Sequence, residues 1–179
     1  ITYFGDGSAN QGQVYESFNM ARLWNLPVLY VIENNQYAMG TSVVRSSATT
    51  ELYMRGQAFG IPGKQVNGMN VLEVLKAGRD AADYVRAGNG PILLAMKTYR
   101  YRGHSMSDPA KYRSKEEVEQ YKEKHDPIEN LKNYIISQKM GSEEAFKELE
   151  KEIKSIVNEA ADFAQTSPEP DASELWTDV

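Results

Sequence analysis

The chain has 179 residues, of which 41% are hydrophobic, 25% charged and 10% aromatic, an ordinary globular balance that excludes a fibrous or disordered polymer. A chain of this size buries about 70% of its unfolded surface, enough for one full domain with an appendage. It contains no cysteine, which excludes disulfide scaffolds, zinc ribbons and thiol nucleophiles and fits a reducing compartment. No apolar run approaches the roughly 20 residues that cross a bilayer, so no membrane association is expected. The net charge of −5 is unevenly spread: residues 1–113 hold 12 Lys/Arg against 8 Asp/Glu, whereas residues 114–179 hold 8 against 17. The basic first part suits an anionic small ligand, the acidic remainder reads as a solvated helical face, and nothing points to nucleic acid.

The chain opens at Ile1 inside what reads as a strand, with neither Met nor a signal peptide, so an upstream region is expected. Ile1 to Phe4 is short and β-prone and stops at the turn signal Gly5-Asp6-Gly7. From about Ala9 to Asn25, Val14, Phe18, Ala21 and Trp24 recur at helical spacing. Leu26-Pro27 ends that helix, and Val28 to Ile32 is a continuous apolar run of the kind buried on both faces of a parallel sheet. A polar loop is expected from Glu33 to about Thr50, then a helical stretch from Leu52 to Phe59 and a breaker at Gly60-Ile61-Pro62-Gly63. Gln65 to Asn67 reads as a brief strand, Asn70 with Glu73 as the capping box of a helix reaching about Ala87, and Ile92 to Thr98 as another buried strand. Beyond a basic loop at 99–113, Ser114 with Glu117 and Asp126-Pro127 with Glu129 mark two further helix starts. A last amphipathic helix, about Glu143 to Gln165, carries Phe146, Leu149, Ile153, Ile156, Ala160 and Phe163 on one stripe. The expected class is α/β, a parallel sheet with helices on both faces plus a helical C-terminal extension, divided as 1–113 and 114–179.

Asp6 and Asn35 lie 29 positions apart, about one β-α-β excursion. Consecutive parallel strands present their carboxyl ends at one sheet edge, so the loops after the first two strands face each other where such folds bind ligands. Both side chains then reach one ion, with the Tyr37 carbonyl as a third oxygen. Mg²⁺ favours this kind of set, oxygen ligands at about 2.0 to 2.1 Å completed by phosphate and water. A single carboxylate leaves charge for an anionic diphosphate, Gly7 allows close backbone approach, and the following helix N-terminus offers free N–H groups. Glu33 reads as a strand-end residue and Met20, Met39, Met69 and Met96 as packing. Residue by residue, His104 in its basic loop reads either as a solvated side chain or, placed just after a buried strand, as a group at the ligand edge.

Gly-Asp-Gly alone is a common turn, but at this separation from Glu33-Asn34-Asn35 it resembles the thiamin-diphosphate-binding motif. Longer stretches are more specific: GDGSANQGQVYESFNMARLWNLP, ENNQYAMGTS and TYRYRGHSMSDPAKYR resemble the α subunits of two-subunit, α₂β₂ pyruvate dehydrogenase E1 components, within the thiamin-diphosphate-dependent 2-oxoacid dehydrogenases, over essentially the whole chain. The resemblance implies the diphosphate-binding domain of the thiamin-diphosphate fold, with loop 99–113 as its active-site loop. It implies Mg²⁺ on Asp6, Asn35 and the Tyr37 carbonyl, diphosphate contacts from the backbone of Gly7 and Ser8, and a role for His104 at the cofactor phosphates and in acyl transfer. The implied reaction is oxidative decarboxylation of pyruvate, with transfer of the acetyl group to the lipoyl group of E2, the dihydrolipoamide acetyltransferase. An E1 β subunit would supply the Glu that activates the cofactor, so the chain alone is expected to be inactive. The implied location is the bacterial cytoplasm, or the mitochondrial matrix in a eukaryote. Lys111 stands where mitochondrial relatives carry a second regulatory serine, so Ser105 reads as an unmodified loop hydroxyl. The alternatives are a branched-chain 2-oxoacid or acetoin dehydrogenase α subunit, which would share the ion site, and a non-catalytic fragment that kept the fold.

Overall fold

A computed structural model describes residues 1–177. Its centre is a four-stranded sheet of β1 (Thr2–Gly5), β2 (Leu29–Asn34), β5 (Gly63–Asn67) and β6 (Ile92–Lys97), in the order β1-β2-β6-β5. Every pairing is parallel, with Gly5 opposite Glu33, Asn34 opposite Lys97 and Asn67 opposite Lys97. All four carboxyl ends therefore lie along one edge, and the loops opening at Asp6, Asn35, Gly68 and Thr98 leave from it.

The central strands are apolar on both sides because both faces are covered. On one face Tyr30, Ile32, Leu93 and Ala95 pack with Phe18 and Ala21 of α1 (Gly12–Leu23) and with Leu52 and Ile61. Phe18 is the hub, meeting the ring of Tyr30 edge-on at 4.7 Å and Phe59 at 6.1 Å. On the other face Leu29, Val31, Val66 and Leu94 pack with Ala77 and Ala81 of α3 (Val71–Arg86). The small residues on α3 let helix and sheet approach closely. Asn70 caps α3 as its sequence implies, its Oδ1 accepting from the Leu72 and Glu73 N–H groups while its amide donates to the Glu73 carboxylate.

Two local differences from the sequence reading have physical causes. The first helix does not run from Ala9: Ser8–Asn10 makes a separate 3-10 turn, Gln11 is extended (φ −76°, ψ 144°), and α1 starts at Gly12. Trp24 falls beyond its end and is 58% exposed. The stretch expected to be a plain polar loop after β2 holds a hairpin of β3 (Tyr37–Ala38) and β4 (Thr41–Ser42) and a single turn, α2 (Val43–Ser46). Two-residue strands carry no periodicity to read, and this hairpin is built on side-chain-to-backbone bonds and on positive φ at Gln36 (73°) and Met39 (52°).

The chain forms two compact units, Ile1–Leu131 and the residues from Lys132 onward. The first holds the sheet, α1 to α3 and α4 (Lys115–His125), which Ser114 caps at the Glu117 N–H. α5 (Pro127–Ser137) starts at Asp126, whose Oδ1 accepts from the Ile128 and Glu129 N–H groups, and runs across the division. The second unit is dominated by α6 (Glu143–Thr166), near whose start the Lys132 ammonium meets Glu143 at 2.9 Å and lies over the Phe146 ring. Leu149, Ile153, Ile156 and Phe163 of its apolar stripe are exposed.

Candidate functional site

Asp6 opens the turn after β1 and is buried, with 3% of its surface exposed. Burial pushes its carboxyl above the ordinary aspartate range, opposed by hydrogen bonds from its own backbone N–H and that of Asn35 and by the positive charges of Arg100 and Arg55. One of its oxygens, Oδ2, is buried without a hydrogen-bond partner. A buried acceptor of this kind costs free energy, so a carboxylate held there calls for a cation.

Gly7 packs directly on the hairpin: a Cβ built there would lie 2.6 Å from the Cβ of Ala38. Ser8 follows on the exposed side of the 3-10 turn. Across the crevice, Asn35 folds its chain into an Asx turn, Oδ1 accepting from the Tyr37 N–H at 3.2 Å, while buried Asn34 makes the same turn one residue earlier to the Gln36 N–H. These bonds set the Tyr37 carbonyl in place, and the Arg100 Nη1 donates to it at 3.1 Å. A carbonyl oxygen has two lone pairs, so this bond leaves one free.

The basic loop is tied to the same carbonyl. Arg100 Nη2 donates to the Met39 carbonyl and to the Tyr112 hydroxyl, and Tyr112 donates to Asp108 Oδ2 at 2.8 Å. Asp108 Oδ2 also accepts the His104 backbone N–H at 2.6 Å, and its Oδ1 accepts that of Ala110 at 2.8 Å. These donors, the His104 N–H foremost, hold the Asp108 carboxyl down at about 2. The His104 side chain is on the exposed surface of the loop. Among the described residues no hydrogen bond joins its ring to Asp6 or Asn35; Asp108, Tyr112 and Arg100 link its backbone to Tyr37.

A tyrosine cluster supports this arrangement from below. Arg113 lies 5.2 Å from the ring centre of Tyr99 and 5.7 Å from those of Tyr37 and Tyr112, and its guanidinium donates to the carbonyls of Arg100, Tyr101 and Arg102. Glu117 of α4 accepts from the hydroxyls of Tyr99 (2.7 Å) and Tyr37 (3.2 Å). Burial first, then the hydrogen bond to Glu117, raise the Tyr99 phenol to about 12.

The structure thus brings Asp6, Gly7, Asn35 and Tyr37 together. Sequence reasoning passed over Arg100 as a structural tie, Asp108 as an anchor and Arg55 as a support of the Ser8 turn. The Asx-turn spacing of Asn34 and Asn35 was visible, and Asp108 bonds residues only two and four positions away. Arg100, by contrast, reaches Tyr37 and Met39 across 63 and 61 positions and Arg55 reaches Asn10 across 45, ties that leave no local pattern. Among the described residues no three acidic, histidine or cysteine side chains gather to hold a metal. An ion at Asp6 would therefore rely on neutral oxygens, from the Asn35 amide and the Tyr37 carbonyl, and a hard cation accepts such a set.

Residues 1–173 match the family model of the dehydrogenase E1 component. The chain belongs to that family. Among its relatives, the pyruvate dehydrogenase E1 component subunit alpha of Rhizobium meliloti is 59% identical over 179 residues, all of this chain and 51% of the relative. The subunit of that name from Zymomonas mobilis is 59% identical over 177 residues, 99% of this chain and 50% of the relative. The human somatic, mitochondrial form is 49% identical over 176 residues, 98% of this chain and 45% of the relative. The chain spans about half the length of the curated relatives it matches. The Gly-Asp-Gly turn and the Asn pair stand at the carboxyl ends of neighbouring parallel strands. Among the described residues no helix is long and apolar enough to cross a membrane.

Proposed function

We propose that this chain is the diphosphate-binding part of an E1 α subunit acting in the thiamin-diphosphate-dependent oxidative decarboxylation of pyruvate, with the acetyl group passed to the lipoyl group of an E2 acetyltransferase. The observation that carries the reading is the buried, unpartnered Asp6 Oδ2 beside the Asn35 turn and the Tyr37 carbonyl. The names and high identity of the relatives support the choice of pyruvate.

Asp6, Asn35 and the Tyr37 carbonyl would hold Mg²⁺, and the backbone of Gly7 and Ser8 would receive the diphosphate. The turn is suited to that task because Gly7, without a Cβ, lets it lie against the hairpin and α1 begins soon after it, at Gly12. When bound, thiamin diphosphate supplies the carbon nucleophile and the electron sink that decarboxylation of a 2-oxo acid requires. The chain's own contribution is to bind, orient and neutralise. Asp6 supplies the one full negative charge facing the ion, so the positive charge left over remains for the diphosphate. His104 stands at the loop as the group to contact the phosphates and assist acyl transfer, and Asp108 fixes its backbone. The catalytic partner is an E1 β subunit in an α₂β₂ assembly, located in the bacterial cytoplasm or the mitochondrial matrix.

The test uses the full-length subunit assembled with its β partner. Replacing Asp6 with Ala is expected to abolish Mg²⁺-dependent binding of thiamin diphosphate in calorimetry and to abolish pyruvate decarboxylation. Unchanged binding would end the ion-ligand reading, and wild-type protein preferring a branched-chain 2-oxo acid over pyruvate would end the substrate assignment.

A further inference from the structure

The turn after Asp6 has little support of its own. Ser8–Asn10 is held by two backbone bonds, the Asn10 N–H to the Gly7 carbonyl at 3.1 Å and the Gln11 N–H to the Ser8 carbonyl at 3.0 Å. The helix beyond starts without a side-chain cap at Gln11. A lone 3-10 turn with these resources is marginal. An anion bound through backbone N–H groups nonetheless needs those groups fixed before it arrives, because ordering them on binding costs affinity.

The missing support comes from Arg55, 45 residues downstream. Its guanidinium donates from Nη1 to the Ala9 carbonyl and to the Tyr15 hydroxyl at 3.2 Å, and from Nη2 to Asn10 Oδ1 at 2.8 Å and Ser47 Oγ at 3.1 Å. Two of these acceptors are in the turn, one is in the first helical turn of α1, and the fourth lies just after α2. Ala9 is fully buried, so its carbonyl has no solvent to turn to. Arg55 is itself held by the 3-10 stretch Leu52–Phe59, anchored by buried Leu52 and Gly56. The planar fork of arginine serves several acceptors at fixed angles at once, and a lysine ammonium on a flexible stem does not.

We infer that Arg55 is a positioning residue for diphosphate binding: it braces the Ser8–Asn10 turn, and with it the backbone of Gly7 and Ser8, through Ala9 and Asn10 rather than by touching the ligand. This rests on the cofactor reading above and extends it to a residue outside the motif.

The experiment uses the full-length subunit assembled with its β partner, with thiamin diphosphate as the probe in excess Mg²⁺. Two readouts are taken: the calorimetric Kd, and amide hydrogen exchange of residues 7–12 in the cofactor-free protein. Arg55→Ala is expected to raise Kd at least about tenfold and to speed exchange in 7–12 by a similar factor, while β2 and β6 keep their protection. Arg55→Lys is expected to recover part of both, because an ammonium reaches one or two of the four acceptors. If wild-type protein does not bind the cofactor, the cofactor reading itself fails. If the wild type binds and Arg55→Ala binds as tightly, the Arg55 inference alone fails, whatever the exchange shows. Should Arg55→Ala not assemble, Asn10→Ala and Ser47→Ala each remove one acceptor: a two- to fivefold rise in Kd supports the inference and unchanged affinity overturns it.

Discussion

Gly7 and Ala38 touch through a missing methyl group: a Cβ on Gly7 would stand 2.6 Å from the Cβ of Ala38. The backbone of Gly7 is right-handed (φ −69°, ψ −47°), so any residue could adopt its angles. Glycine is required there for space, because the turn after β1 lies directly against the hairpin after β2.

Gly7→Ala is therefore expected to push turn and hairpin apart, with a stability loss of about 1–3 kcal/mol typical of overpacking and a weakened response to Mg²⁺ and cofactor. Adding Ala38→Gly removes the colliding atom and is expected to restore most of both losses. Urea unfolding and calorimetry on the four members of the cycle measure this. A double variant as impaired as Gly7→Ala would show that the clash is not the cause.

Asp6→Asn separates stability from ion binding. An aspartate whose pKa is raised on folding binds its proton more tightly in the native state, so its ionisation costs stability once the pH exceeds its unfolded value. At neutral pH the neutral amide relieves a buried unpaired charge, worth on the order of 1 kcal/mol or more. Asp6→Asn is expected to melt higher than the wild type when metal and cofactor are absent, and to lose the rise in melting temperature that both give the wild type. In the wild type, Mg²⁺ bound at Asp6 as proposed would compete with that proton, so cofactor affinity is expected to fall on acidification at higher pH than for an ordinary surface aspartate. A lower melting temperature for the metal-free variant would refute the account.

Much of this was legible in the sequence, and the reasons are local. Val28 to Ile32 and Ile92 to Thr98 announce β2 and β6 because strands covered on both faces must be apolar throughout, and Asn70, Ser114 and Asp126 announce helix starts because a cap is a contact over two or three residues. The pairing of Asp6 with Asn35 followed from parallel topology alone. The hairpin at Tyr37 to Ser42 did not, since its two-residue strands lack a period. Nor did the ties of Arg55 to Asn10 or of Arg100 to Tyr37, which join charged and polar residues far apart in the chain. A surface arginine and one that organises a loop are the same letter until the fold brings their acceptors near.

Glu117 is the point at which α4 holds the tyrosine floor of the site. Tyr99→Phe removes a 2.7 Å hydrogen bond to this carboxylate from a buried ring and is expected to cost about 1.5–3 kcal/mol, the range for bonds to charged groups. Tyr37→Phe removes the longer 3.2 Å bond and is expected to cost less. The Tyr99 phenol, raised to about 12, favours folding while it stays protonated, so its contribution is complete below pH 10 and is lost as the pH rises towards 12. Burial also raises the phenols of Tyr30, Tyr37 and Tyr101, so ultraviolet titration is expected to show several late phenols, of which Tyr99→Phe deletes one titrating at about 12. Loss of an early-titrating phenol instead would contradict the arrangement.

Asp108 makes the loop around His104 sensitive to acid and to a single atom. Its carboxylate accepts three donors, the His104 and Ala110 N–H groups and the Tyr112 hydroxyl, and these hold its pKa down at about 2. A carboxyl depressed on folding stabilises the native loop above its unfolded value near 3.8, and that support disappears as the pH falls through about 2. At neutral pH Asp108→Asn mimics the loss more selectively: the amide keeps one acceptor oxygen but turns an NH₂ towards donors that need to be accepted. The loop should then loosen where Arg102 and Lys111 are exposed, while the sheet, whose bonds are untouched, stays closed. Limited trypsin digestion at pH 8 is expected to cut Asp108→Asn at these two residues several-fold faster than the wild type, with equal protection of β2 and β6 in hydrogen exchange. Equal cleavage would mean that Asp108 does not set the order of this loop, and faster cleavage with lost sheet protection would mean that it acts on the whole domain instead.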